Sequence, residues 1–242
     1  MPRPSALLLR HAVPIWSSPD RGGMRGPSGH RAPGRNFAAL DPLLLSRDLV
    51  SARLSADPDP AALLTERLAR FLSMPAVLSF ASGAMAIRHV LPALLDPTDE
   101  VIIDAGADPA MFETVRHAEA RLHRSPPGSL DAVERRLQRL ARQPRTGRLF
   151  VMLPAIARLT SVAADLADFC TLCAAHGAIL VVDASQDLGM IGQAGQGLAE
   201  VQGCLAGIDV ILGDMAGTFA VPGGFAAFRD PALADRVRAH PL

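Results

Sequence analysis

Residues Leu180–Gly197 read LVVDASQDLGMIGQAGQG, and residues Asp209–Phe225 read DVILGDMAGTFAVPGGF. Two apolar runs, Ala178–Val182 and Val210–Leu212, have the length and composition of buried strands. Between them Gly189, Gly192, Gly195 and Gly197 recur at short intervals, which fits a tight loop with special backbone angles. Asp183 stands at the end of the first strand, where its carboxylate can meet a ligand or cap the next turn. Gly224–Phe228 reads as the last strand. Upstream, Asp59 can cap a helix with Pro60 at its first position, running through Leu63, Leu64, Leu68 and Phe71. A strand at Ala76–Phe80, a helix from about Gly83 to Leu95 and a strand at Val101–Ile103 follow. Next come a helix near Pro109–Ala118, a weak strand near Arg121–His123, a helix at Leu130–Arg142 and a strand at Leu149–Leu153. A helix at Ala163–His176 is closed by Gly177. Strand-length apolar runs alternating with helical patterns predict an α/β chain: three αβα layers around a mostly parallel sheet.

Composition narrows the class. The chain is 49% hydrophobic, ample for a core, and its formal net charge is zero, so no global field attracts nucleic acid or anionic lipid. No apolar run has the length of a membrane span. Three cysteines make no disulfide framework, which places the chain in a reducing cytoplasm. Cys170 and Cys173 have a CxxC spacing, but they lie in a helical pattern beside Phe169 and Leu172 and read as core residues rather than a metal site. His89, His117, His123 and His176 show no metal-ligand spacing. The first forty residues carry Arg3, Arg10, Arg21, Arg25, Arg31 and Arg35 against the single acid Asp20, with many Pro and Gly. Residues 1–50 are therefore expected to be an Arg/Pro/Gly-rich flexible arm and residues 51–242 the folded domain.

Over about residues 52–239 the sequence resembles the α-oxoamine synthases, pyridoxal-phosphate (PLP) enzymes of the aspartate-aminotransferase fold. The family's VDEAHSTGVLGPTGRGVAE stands beside Val182–Glu200, with Gly189, Gly192, Gly195, Gly197, Ala199 and Glu200 in place. Its FSSGYAAN stands beside Phe80–Ile87, which keeps Ser82 and Gly83. The resemblance implies the large domain of that fold, with Ser82 and Gly83 at the cofactor phosphate, Asp183 at the pyridine nitrogen and Gln186 in place of a histidine. These four are the candidate cofactor-binding residues, as vestiges of the family site.

The same comparison shows where the chemistry breaks. All 24 basic side chains are arginine, and no lysine occurs anywhere in the sequence. The family's GTLSKALGGSGGF falls on Gly213–Phe225, so the Schiff-base lysine position is Gly217, while the phosphate-contacting threonine and serine become Asp214 and Ala216. A guanidinium stays protonated and cannot replace that lysine as a nucleophile. The stacking histidine falls on Pro109, and the aromatic after the glycine is Ala84. No catalytic residue, no metal site and no bound cofactor are expected; PLP enters only through the resemblance. The sequence ends near where family chains leave the large domain, so the small C-terminal domain is expected to be missing. The resemblance then implies a non-catalytic relative, as in the lysine-free subunit of eukaryotic serine palmitoyltransferase. Such a chain would form a homodimer, or a heterodimer with a catalytic paralogue, an acyl-CoA or acyl-carrier-protein:amino acid acyltransferase, with an acyl-carrier protein as a further partner. A remodelled, lysine-independent PLP-binding transferase and a degenerate truncated product remain as alternatives.

Overall fold

A computed structural model describes residues 60–144 and 146–240, together with three strands within the N-terminal segment. Those strands, β1 (Ser17–Asp20), β2 (Gly23–Arg25) and β3 (Arg31–Ala32), pair antiparallel in a small sheet. The rest of segment 1–50, and Asp59 as the expected cap, lie outside the described residues.

The domain opens with α1 (Pro60–Leu72), β4 (Ala76–Phe80) and α2 (Gly83–Leu94). It continues through β5 (Glu100–Asp104), α3 (Pro109–His117), β6 (Arg121–Ser125) and α4 (Leu130–Ala141). Then come β7 (Leu149–Pro154), α5 (Leu166–His176), β8 (Ala178–Asp183) and α6 (Leu198–Val201), followed by β9 (Val210–Asp214), α7 (Met215–Thr218), β10 (Gly224–Phe228) and α8 (Pro231–Ala239). Seven strands form one sheet in the order β4-β10-β9-β8-β7-β5-β6. All neighbours are parallel except β10, which runs antiparallel to both β4 and β9.

Alternation along the strands builds two cores. Ile102, Leu149, Val151, Leu153, Leu180 and Val182 point to the face covered by α1, α4 and α5. Val101, Ile103, Phe150, Met152 and Val181 point to the face covered by α2, α3 and α8. With both faces buried, a one-residue slip of any central strand would exchange its two sets of side chains. Each fully buried Phe or Leu contributes about 1.5–3 kcal/mol over an exposed one, so the register is strongly specified.

One element starts later than its pattern suggests. The helix expected from Ala163 begins at Leu166. The reason is backbone pairing: Ala164 N donates to Ala155 O at 2.9 Å and Ala157 N to Val162 O at 2.9 Å, so residues 162–164 extend the pairing beside the end of β7. Cys170 and Cys173 lie in α5 as core-side residues, and burial pushes both thiols up to about 12. Among the described residues, no helix is long and apolar enough to cross a membrane.

Candidate functional site

In an open α/β sheet, ligands bind outside the carboxyl ends of the strands, where the strand order reverses. Here β5 leads outward to β6 while β7, β8 and β9 run the other way, so the reversal lies between β5 and β7. A cleft of about 610 Å³ opens at that point. Its walls include Gly106, Asp108, Pro109, Pro154, Asp183 and Gln186.

Asp183 and Gln186 thus meet in one cleft, on the β8 end. Asp183 is 7% exposed, and its Oδ1 accepts the Ser185 amide at 2.9 Å, so it does cap the next turn. Burial raises its pKa; the bonds from Ser185 oppose this, and Asp108 adds to the rise. Gln186 is half-buried. Pro109 is the first residue of α3, behind Asp108, whose Oδ1 accepts the Ala110 amide at 2.8 Å. An Asp cap followed by Pro at the first helical position is a local signal that sequence could have offered.

Ser82 and Gly83 lie at the start of α2. The Ser82 hydroxyl accepts the Met85 amide at 3.2 Å, an ordinary helix cap. The Gly83 amide donates to Asp214 Oδ2 at 2.9 Å, while Asp214 Oδ1 accepts the Ala216 amide at 2.7 Å. One carboxylate therefore bridges the starts of α2 and α7. The approach is close: a Cβ on Gly83 would sit 2.7 Å from Asp214 Cβ, and one on Gly224 would sit 2.4 Å from Gly83 N. A helix start is where an anion is stabilised, and in this chain the anion there is its own side chain. The Asp214 amide in turn donates to Ser185 Oγ at 3.0 Å, which ties the α2 start to the β8 loop. Gly217 is in α7, and a Cβ there would meet only Ser185 O, at 3.9 Å.

The glycine-rich loop after β8 has the special geometry its sequence implies. Gly189, Gly192, Gly195 and Gly197 all have positive φ, between 80° and 95°. Glu200 accepts the amides of Ala194 at 2.7 Å and Gln196 at 2.8 Å, and these bonds hold its carboxyl below the usual range. Gln196 also bonds Phe71 O, which fastens the loop to α1. Asp187, beneath the loop, is 1% exposed. Its Oδ2 accepts the Leu198 amide at 2.6 Å, its Oδ1 has no partner, and burial pushes its pKa up to about 6.

Two further acids, not among the four candidate residues, stand near the cleft. Asp104, the last residue of β5, accepts the amides of Gly106 and Gly128, both at 2.6 Å, and joins the loops after β5 and β6. Asp108 faces Arg158 across the cleft, at 3.2 Å. The Asp-x-Gly spacing at Asp104 is a turn signal; its contact with Gly128 comes from tertiary packing alone.

Residues 41–240 match the family model for aminotransferase class I and II. The chain belongs to this family. The 8-amino-7-oxononanoate synthase of Acidithiobacillus ferrooxidans is 31% identical over 167 residues, which cover 69% of this chain and 42% of that enzyme. The serine palmitoyltransferase of Sphingomonas paucimobilis is 25% identical over 166 residues, 69% of this chain and 39% of that enzyme. This aminotransferase-family chain thus spans less than half the length of these two relatives. Among solved structures, the serine palmitoyltransferase of Sphingomonas wittichii superposes with a TM-score of 0.75 at 20% identity, covering 97% of this chain and 63% of that one. A structure described as SPT with PLP gives 0.75 at 20% identity, over 93% and 60%. At such identities these structures establish the fold, the mostly parallel αβα sheet expected from the sequence.

Proposed function

We propose that this chain is a non-catalytic member of the α-oxoamine-synthase-like branch, acting as a partner or regulatory subunit of a PLP-dependent acyltransferase. The observation that carries this reading is the Asp214 bridge. When PLP is bound in an enzyme of this fold, it supplies an electron sink through a lysine Schiff base and is anchored by its phosphate. Here the amide at the α2 start is engaged by a carboxylate, which would repel a phosphate dianion. The residue at the lysine position is Gly217, and no lysine exists to replace it. Pro109 offers no π face for a pyridine ring. On this reading Ser82, Gly83, Asp183 and Gln186 are vestiges of a cofactor site, kept for capping and loop support.

The partner role draws on the same end of the sheet. Met85 at the start of α2, Leu159 after β7 and Met190 in the glycine loop are exposed at 50%, 96% and 39%. Exposed apolar side chains gathered on one end of a fold are suited to a protein contact. Light scattering at micromolar concentration tests this, with the chain alone and with a lysine-bearing synthase of the same cell. The expected outcome is a dimer, either of this chain or mixed. A monodisperse species of 25.5 kDa in both conditions would remove the subunit reading.

A further inference from the structure

The cleft holds two cations without an acidic partner among the described residues, which the cofactor comparison does not explain. Three arginines line it: Arg116 of α3, Arg124 of β6 and Arg158 after β7. The cleft acids are already engaged. Asp108 pairs with Arg158 at 3.2 Å, Glu113 pairs with Arg88 at 3.6 Å, and Asp183 is held by Ser185. Arg116 and Arg124 have no acidic partner among the described residues. The two are also placed on one side. The Arg124 guanidinium lies over the Phe112 ring, 4.6 Å from its centroid. Arg116 follows Phe112 by four residues, one helical turn, and so shares its face of α3. Beside these guanidinium groups the cleft wall is apolar: Phe112, Pro127, Ile156 and Leu159.

We propose that this end of the cleft binds an organic oxyanion with a flat apolar body. Its carboxylate or phosphate would be held by Arg116 and Arg124, and its body would lie against Pro127 and Leu159. The planar fork of a guanidinium matches such a head group and forms charge-assisted bonds with it. Arg124 is already oriented by stacking on Phe112, which lowers the ordering cost on binding. A volume of about 610 Å³ is ordinary for a small-molecule site. The site stands apart from the partner-subunit reading, since it needs neither a Schiff base nor a second chain.

The test is calorimetry on the full chain with four probes. They are naphthoate, naphthyl phosphate, the neutral naphthamide and inorganic phosphate. PLP is left out so that the result does not depend on the cofactor question. At least one of the two aryl anions is expected to bind roughly tenfold or more tighter than both naphthamide and inorganic phosphate. The double variant Arg116→Gln, Arg124→Gln should lose that preference while staying folded, because both side chains are exposed and neither has an ion pair among the described residues. Failure of both aryl anions to bind overturns the proposal. So does equal binding of naphthamide or of bare phosphate, or unchanged binding by the folded double variant. If the double variant fails to fold, the single variants are used with the same reading.

Discussion

Gly217 and Asp214 are three residues apart and divide the question of catalysis between them. At Gly217 the fold has room, since an added Cβ meets only Ser185 O at 3.9 Å. Gly217→Lys is therefore expected to fold with stability near the parent, and removing a helical glycine adds a few tenths of a kcal/mol to about 1 in its favour. It is not expected to gain synthase activity or the visible absorbance of a PLP Schiff base, because Asp214 still engages the α2 start. Appearance of that band with stoichiometric PLP would show that the lysine alone was lacking. A second residue-scale prediction concerns Asp187, whose pKa burial raises from 3.8 to about 6. The buried site favours the neutral acid, so the folded chain holds a proton more tightly than the unfolded chain. Stability from this group is present at acid pH and is lost as pH rises from about 4 through about 6, a difference of roughly 3 kcal/mol. Asp187→Asn keeps an acceptor for the Leu198 amide and removes the buried charge. It should raise the unfolding midpoint at neutral pH, with the gain shrinking toward about pH 4. A gain that is equal at both pH values would contradict this assignment.

Elements built on periodicity were readable in advance, and those built on single contacts were not. The five predicted helices and the seven strands of the main sheet all exist, because two-sided burial leaves continuous apolar runs at β5, β7, β8 and β9. The late start of α5 escaped because the 162–164 pairing with the end of β7 is a tertiary contact with no local signature. The short α6 and α7 escaped for want of length. At the site, Asp183 and Gln186 line one cleft. The role of Asp214 depends on a contact with Gly83 across 131 positions of chain, which no local pattern encodes. The glycine loop lies between these cases. Its positive φ values follow from its glycines, whereas its clamp by Glu200 is a matter of packing. Glu200→Ala releases two amides, so hydrogen exchange should quicken at Ala194 and Gln196 while the β7 and β8 amides stay protected. Unchanged exchange in the loop would show that its backbone turns alone hold it.

For the molecule as a whole, the family fold is retained. The sheet, its single antiparallel strand β10 and the glycine loop remain, and a carboxylate stands at the helix start that would favour an anionic ligand. The chain spans 42% of the Acidithiobacillus synthase it matches, so whether it has a partner is a matter for the light-scattering experiment. The reading that this chain is not itself a PLP enzyme rests on the chain alone. Calorimetric titration of the purified protein with PLP, followed by its visible spectrum, tests it most directly. The expected result is no Schiff-base band, and no micromolar PLP binding that persists in the Arg116→Gln, Arg124→Gln variant. Binding of one PLP per chain with micromolar affinity, kept by the Arg116→Gln, Arg124→Gln variant, would contradict the account, whatever the spectrum shows.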